Sequence, residues 1–101
     1  MPQHPFIIFV CEHGAAKSIL AAAYFNQLVR EQNLNLTAIA RGTNPDADLS
    51  AKTIAGLRAD GLTPTESIPT KLGLIDLDNA QCIVSFCALP EEYRQRARIQ
   101  Y

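Results

Sequence analysis

The chain alternates short, continuously apolar runs with longer segments in which apolar residues recur at helical spacing. "FIIFVC" (Phe6–Cys11), "LTAIA" (Leu36–Ala40) and "CIVSF" (Cys82–Phe86) are apolar over most of their length, which is typical of strands covered on both faces of a parallel sheet. The segment Ser18–Gln32 carries one broad apolar stripe and predicts an amphipathic helix. The residues of this stripe are Leu20, Ala21, Tyr24, Phe25, Leu28 and Val29.

Capping and turn signals predict three further helices. Ser50 can cap a helix that runs to about Asp60, with Gly61 at its end. "LGLIDLDNA" (Leu72–Ala80) predicts a short helix, and "PEEYRQRA" (Pro90–Ala97) predicts a last helix with proline in its first turn. The final "RIQY" can begin a fourth strand.

This alternation of strands and helices predicts an α/β fold. We expect a doubly wound parallel sheet of three strands plus the start of a fourth, with ligands bound beyond the carboxyl ends of the strands. The length of 101 residues and the hydrophobic fraction of 48% fit a single small domain over residues 1–101 with one core.

Charge and hydropathy exclude several classes of partner. The formal net charge is -1 and the pI is about 6.0, so the overall charge does not favour binding to nucleic acid or anionic membranes. The apolar run Phe6–Cys11 is far shorter than the roughly 20 residues of a membrane span and lacks the basic lead of a signal peptide. We expect a cytoplasmic protein.

The cysteines disfavour a disulfide scaffold. There are three, an odd number, and no pair has a metal-site spacing such as CxxC. Reduced thiols are therefore expected, with no metal site and no cofactor, and each cysteine has to be judged alone.

Cys11 ends the first predicted strand, immediately before a helix. Five mostly small residues follow before Lys17 and Ser18 open the helix. Several backbone N–H groups and a helix N-terminus therefore surround the thiol, and such an arrangement favours anions, including the thiolate. The alternative is a small buried cysteine at a strand end. The predicted anion-binding loop consists of Glu12, His13, Gly14, Ala15 and Ala16.

At this loop the sequence resembles the low-molecular-weight protein tyrosine phosphatases and the thioredoxin-coupled arsenate reductases that share their fold. Their signature is a cysteine, five loop residues, an arginine, and then serine or threonine. The Cys11 loop has this spacing, with Lys17 in the arginine position. "ARGT" (Ala40–Thr43) and Lys71–Cys87 resemble the later turn, helix and strand of the family. The resemblance implies a bound phosphate or arsenate oxyanion and phosphomonoester hydrolysis through a phosphocysteine, with Cys11, Lys17 and Ser18 as catalytic residues.

Several positions depart from that pattern. Lys17 keeps the positive charge but lacks the planar fork of a guanidinium, so we expect anion binding to survive and catalysis to weaken. If the first two strands are neighbours, Arg41 can supply a guanidinium; a surface arginine on a turn is the alternative. Glu12 is interpreted as a solvated carboxylate. His13 is interpreted as a surface or hydrogen-bonded histidine, because no second metal ligand has a useful spacing.

The resemblance also implies an aspartate general acid after the fourth strand. The sequence ends at Tyr101, about where that strand would begin, so we expect the C-terminal segment of the family to be lacking. No residue is assigned the acid role. The carboxylates considered and interpreted as loop and helix-end groups are Asp46, Asp76 and Asp78.

The remaining cysteines leave the activity open. Cys87 in "VSFC" has the position of the second, resolving cysteine of the reductases, whereas Cys82 is interpreted as core packing. No relay cysteine follows. The alternatives to a phosphatase are arsenate reductase-like thiol chemistry by Cys11 and Cys87, or a non-catalytic module that binds phosphate or phosphoproteins, which Lys17 favours.

Overall fold

The computed structural model describes residues 6–94 and 99–100. Strands and helices alternate along the chain as the apolar pattern predicts, and the fold is α/β. The elements are β1 (Phe6–Cys11), α1 (Lys17–Glu31), β2 (Thr37–Gly42), α2 (Ala51–Ala59), α3 (Leu74–Asn79), β3 (Cys82–Ser85), α4 (Glu91–Arg94) and β4 (Ile99–Gln100).

The four strands form one parallel sheet in the order β2-β1-β3-β4. In this order β1 is central, which explains why its sequence is apolar on both faces. Cys11 pairs with Gly42 at the end of β2, and Val10 pairs with Ser85 at the end of β3. The carboxyl ends of the three longer strands therefore meet at one edge. The predicted start of a fourth strand is confirmed by the pairing of β4 with β3.

Helices cover both faces of the sheet, as in a doubly wound fold. On one face α1 and α2 pack against the strands; the buried residues there are Ile19, Ala22, Ala23, Ala38, Ala40, Leu57 and Leu62. On the other face α3 and the segments around it cover the sheet; the buried residues there are Ile8, Val10, Leu72, Leu77, Ile83 and Leu89. Packing on both faces removes the strands from water, which is why their sequences are apolar over most of their length.

The buried face of α1 differs from the predicted stripe. The helix itself is confirmed, but Tyr24 is 39% exposed and Leu28 is 51% exposed. The helix instead turns Ile19, Ala22 and Ala23 toward the sheet. Small alanine side chains allow α1 to approach the strands closely, which a count of large apolar residues does not show.

A side chain of α1 also protects the outer edge of the sheet. Asn26 donates from Nδ2 to the carbonyl oxygen of Ala38 at 3.0 Å and accepts from the Ala38 N–H at 2.7 Å. Ala38 lies on β2, the edge strand, where such groups are otherwise open to another chain. This pair of hydrogen bonds fixes α1 to the sheet.

Capping hydrogen bonds set the first residues of α2 and α3. Ser50 accepts a hydrogen bond from the Thr53 N–H at 3.3 Å and caps α2, as predicted. The third helix begins at Leu74 rather than Leu72, because the Asp76 carboxylate accepts the Gly73 N–H at its first turn. Part of the predicted helix Pro90–Ala97 lies outside the described residues. In the part of the chain that is described, no helix is long and apolar enough to cross a bilayer.

Candidate active site

The loop after β1 folds around the sulfur of Cys11. The Gly14 N–H donates to Sγ at 3.2 Å, and the Ser18 hydroxyl lies 3.1 Å from the same atom. Ser18 is fully buried in the first turn of α1, and Cys11 is 8% exposed. The helix and the loop therefore hold the sulfur from two directions and leave a small part of it open.

These contacts set the ionisation of the thiol. Burial alone opposes charge on Cys11, but hydrogen bonds from the Ser18 hydroxyl and from the N–H groups of Ser18, Gly14 and Ala16 lower the pKa of Cys11 below its ordinary value. The thiolate is the reactive form of cysteine. These hydrogen bonds therefore favour the thiolate form of Cys11.

Two glycines allow the loop to take this shape. Gly14 has a φ of 61°, in the left-handed region, and its backbone faces Gly42 at the end of β2. A Cβ on Gly42 would lie 2.8 Å from Gly14 N, and a Cβ on Gly14 would lie 3.0 Å from Gly42 N. Neither position accepts a side chain without displacing the loop. This close approach explains why the "ARGT" turn (Ala40–Thr43) has a glycine, Gly42, at its third position.

The loop after β2, residues 43–50, is bound to the Cys11 loop by backbone hydrogen bonds. In each of them a carbonyl of the Cys11 loop accepts an N–H of the second loop. The four pairs are Thr43 with Cys11 at 3.2 Å, Asn44 with Glu12 at 2.7 Å, Asp46 with His13 at 3.0 Å, and Ser50 with Ala15 at 3.0 Å. Because the second loop takes up the carbonyl oxygens, the first loop can present N–H groups to the sulfur, as the Gly14 N–H does.

A cavity of about 340 Å³ lies over the Cys11 loop. It brings together nearly all the residues predicted from the sequence, including Cys87, which reaches it because β3 ends beside β1. Gly14 and Ser18 contribute through their hydrogen bonds to the sulfur. The cavity is lined by Cys11, Glu12, His13, Ala15, Ala16, Lys17, Asp46, Ser50, Phe86 and Cys87.

Three residues of this cavity were not predicted as site residues: Asp46, Ser50 and Phe86. Phe86 is 47% exposed and stacks on Phe9, with ring centroids 6.3 Å apart and planes 11° apart. Its position at the carboxyl end of the third predicted strand is a signal that could have identified it. Asp46 and Ser50 reach the cavity because they lie in the loop after β2. The sequence pattern does not predict the path of this loop.

The model of the low molecular weight phosphotyrosine protein phosphatase family matches residues 6–99 of the sequence. This chain belongs to that family. No curated protein sequence matches it significantly.

Solved structures share the phosphatase fold at low sequence identity. A YwlE mutant from Bacillus subtilis superposes with a TM-score of 0.79 at 16% identity, over 94% of this chain and 70% of that one. A Drosophila arginine phosphatase gives a TM-score of 0.81 at 18% identity, over 93% and 68%. An arsenate reductase from Archaeoglobus fulgidus gives 0.70 at 23%, over 93% and 73%. Each of these proteins is longer than this chain, and the similarity concerns the fold.

Within this family fold the structure does not bring Arg41, considered above as a source of a guanidinium, to the Cys11 loop. Arg41 pairs with Val10, whose side chain packs on the α3 face of the sheet, and its own side chain lies on that face. There Nε lies 3.2 Å from Asp76 Oδ2 and Nη1 lies 3.1 Å from Glu66 Oε2. The Arg41 side chain is 17% exposed and does not line the Cys11 cavity. Two carboxylates hold the guanidinium away from the anion-binding loop.

Lys17 is the cation that the structure places in the phosphatase loop. It is exposed, begins α1 and lines the cavity. The predicted exposure of Glu12 is observed, with 61% of its side chain accessible. His13 is also exposed, but its Nδ1 lies 3.1 Å from Asp46 Oδ1. The three cysteines are free thiols, and Cys82 lies within β3.

Proposed function

We propose that this protein hydrolyses phosphomonoesters through a phosphocysteine at Cys11. The observation that carries the proposal is the Cys11 sulfur, which is hydrogen-bonded by Gly14 and Ser18 and opens into the cavity. The Cys11 thiolate attacks phosphorus and forms the S–P bond while the bond from phosphorus to the ester oxygen breaks. Water then attacks the phosphocysteine, which releases phosphate and restores the thiolate.

The remaining groups of the loop stabilise charge. The phosphoryl oxygens carry negative charge throughout, and inward-pointing N–H groups at the N-terminus of α1 are suited to bind them. The Lys17 ammonium adds a full positive charge without the two-point grip of a guanidinium. The Ser18 hydroxyl, hydrogen-bonded to Cys11, stabilises the thiolate both before attack and when it leaves the phosphocysteine.

Phe86 indicates the class of ester. Its half-exposed ring lines the cavity and is held in place by stacking on Phe9. An aryl group of the substrate can pack against such a ring, which is worth about 0.5 to 1.5 kcal/mol beyond the apolar area it buries. We therefore propose aryl phosphates, among them the phosphotyrosine side chain of a phosphoprotein, as substrates.

The test is alkylation of the native protein with limiting iodoacetamide across a range of pH, followed by mapping of the label. Because its pKa is lowered, Cys11 should react fastest of the three thiols, and its rate should stay high below the pH at which ordinary thiols lose reactivity. Inorganic phosphate should protect Cys11 and leave Cys82 and Cys87 unaffected.

Ser18→Ala is the matched variant, since it removes one hydrogen bond to the sulfur. Its alkylation profile should move to higher pH, because the neutral thiol is then favoured. Preferential labelling of Cys82 or Cys87, or a Cys11 rate that phosphate does not change, would contradict an anion-binding site at Cys11.

A second candidate function is arsenate reduction, favoured by the presence of Cys87 in the same cavity as Cys11. The Cys11 thiolate would form the S–As bond and displace a hydroxyl of arsenate, which takes up a proton from solvent and leaves as water. The Cys87 thiolate would then attack the Cys11 sulfur, forming a disulfide and releasing arsenite. The two thiols supply the two electrons that reduce As(V) to As(III), and an external dithiol restores them.

Arsenate treatment of the reduced protein under anaerobic conditions tests this function. We expect one arsenite per protein and a Cys11–Cys87 disulfide in the peptide map if the reductase reaction takes place. Cys82→Ser should behave as the wild-type protein does, while Cys87→Ser should form no intramolecular disulfide. Arsenate that leaves all three thiols reduced would eliminate this candidate.

A further inference from the structure

We infer that His13 is the general acid and base of the proposed hydrolysis, and that Asp46 positions its imidazole. This inference rests on the proposed function. His13 and Asp46 belong to different loops, and both line the cavity above Cys11. The imidazole Nδ1 lies 3.1 Å from Asp46 Oδ1. A histidine oriented by a carboxylate thus lies in the same cavity as a nucleophilic sulfur.

His13 and Asp46 are joined by a backbone hydrogen bond and by a side-chain contact. The Asp46 N–H donates to the His13 carbonyl oxygen at 3.0 Å, so the backbones of the two residues are joined as well as their side chains. With Nδ1 in contact with the carboxylate at 3.1 Å, Nε2 is the ring atom left for proton transfer. Nε2 lies 4.0 Å from Glu12 Oε1, beyond hydrogen-bond distance.

Other polar side chains in the cavity have different roles. The Ser50 hydroxyl accepts from Thr53 N–H as the cap of α2, and the Lys17 ammonium is suited to the phosphoryl charge. The imidazole is the side chain that both donates and accepts a proton near neutral pH. Of the residues that line the cavity, His13 therefore fits the proton-transfer role best.

The proton that His13 donates in the first step is returned to it in the second. When Cys11 attacks, the electron pair of the breaking P–O bond goes to the ester oxygen, which takes the proton from His13 Nε2. The neutral imidazole then accepts a proton from the water that attacks the phosphocysteine. Phosphate leaves, the Cys11 thiolate is restored, and His13 is again an imidazolium. Asp46 keeps the ring oriented throughout.

Leaving groups of different basicity test this role. For His13→Gln we expect kcat on phenyl phosphate to fall by about 10²-fold or more, whereas p-nitrophenyl phosphate, whose leaving group needs no proton, should lose less than about 10-fold. Asp46→Asn should show the same selectivity with a smaller loss and an unchanged KM, because the imidazole remains. Asp48→Asn changes an exposed carboxylate of the same loop that does not line the cavity, and it should match the wild-type protein on both substrates.

The outcomes separate this inference from the proposed function. If the wild-type protein turns over both substrates through Cys11, and His13→Gln slows both equally or neither, the inference is overturned and the phosphocysteine mechanism stands. If the wild-type protein has no Cys11-dependent turnover, the proposed function fails and the role of His13 fails with it. Should His13→Gln be unfolded by circular dichroism, Asp46→Asn decides: equal rates on phenyl phosphate for Asp46→Asn and Asp48→Asn overturn the inference.

Discussion

Replacement of Cys11 by serine is expected to abolish turnover of p-nitrophenyl phosphate, with a loss of about 10⁴-fold or more. The reason is ionisation. The pKa of the Cys11 thiol is lowered by the hydrogen bonds of Ser18 and Gly14, whereas a serine hydroxyl stays protonated at neutral pH. Steady-state rates measure the loss. Urea unfolding measures whether the variant remains folded, which we expect because a hydroxyl can keep the same hydrogen bonds.

Cys87→Ser is the matched control for this experiment, since Cys87 lines the same cavity. It should retain phosphatase activity while losing the ability to form a disulfide with Cys11. Measurable turnover by Cys11→Ser would dismiss the phosphocysteine mechanism. If the wild-type protein binds phosphate at Cys11 but shows no turnover of any ester, the protein is instead the non-catalytic phosphate-binding module considered from the sequence.

Arg41→Ala is expected to destabilise the fold by about 3 kcal/mol, the lower end of the range for removing one partner of a buried ion pair, because these pairs are partly buried. The Arg41 guanidinium contacts both Glu66 and Asp76, whose side chains are 13% and 15% exposed. Its removal leaves two carboxylates with little solvent and no cation. It also removes the hydrogen bond from Nη1 to the Ala40 carbonyl oxygen. The free energy of unfolding in urea measures the change.

Arg58→Ala on α2 is the control, because Arg58 is exposed and its loss should change the free energy of unfolding by less than about 0.5 kcal/mol. Calorimetric titration with phosphate completes the comparison. Under conditions in which both variants are folded, they should bind phosphate equally. Weaker binding by Arg41→Ala alone would place Arg41 in the site, and equal stability of the two variants would contradict a stabilising role of its ion pairs with Glu66 and Asp76.

Features that depend on neighbouring residues were predictable from the sequence. The apolar runs predicted β1 and β3 to within a residue, and the Ser50 cap predicted the start of α2, because strand burial and helix capping are local in the chain. The place of the Cys11 loop was also predicted, since the end of β1 and the start of α1 are both visible in the local sequence.

Features that depend on strand register and on the approach of distant segments became visible in the folded structure alone. The guanidinium of Arg41 lies on the α3 face because β2 pairs in register with β1. Gly14 has to be glycine because Gly42 comes within contact distance across two loops. Asp46 reaches His13 through the fold of a loop that follows a different strand. Such contacts join residues far apart in the sequence, and their geometry is set by strand pairing and packing rather than by any pattern that a local stretch of chain carries.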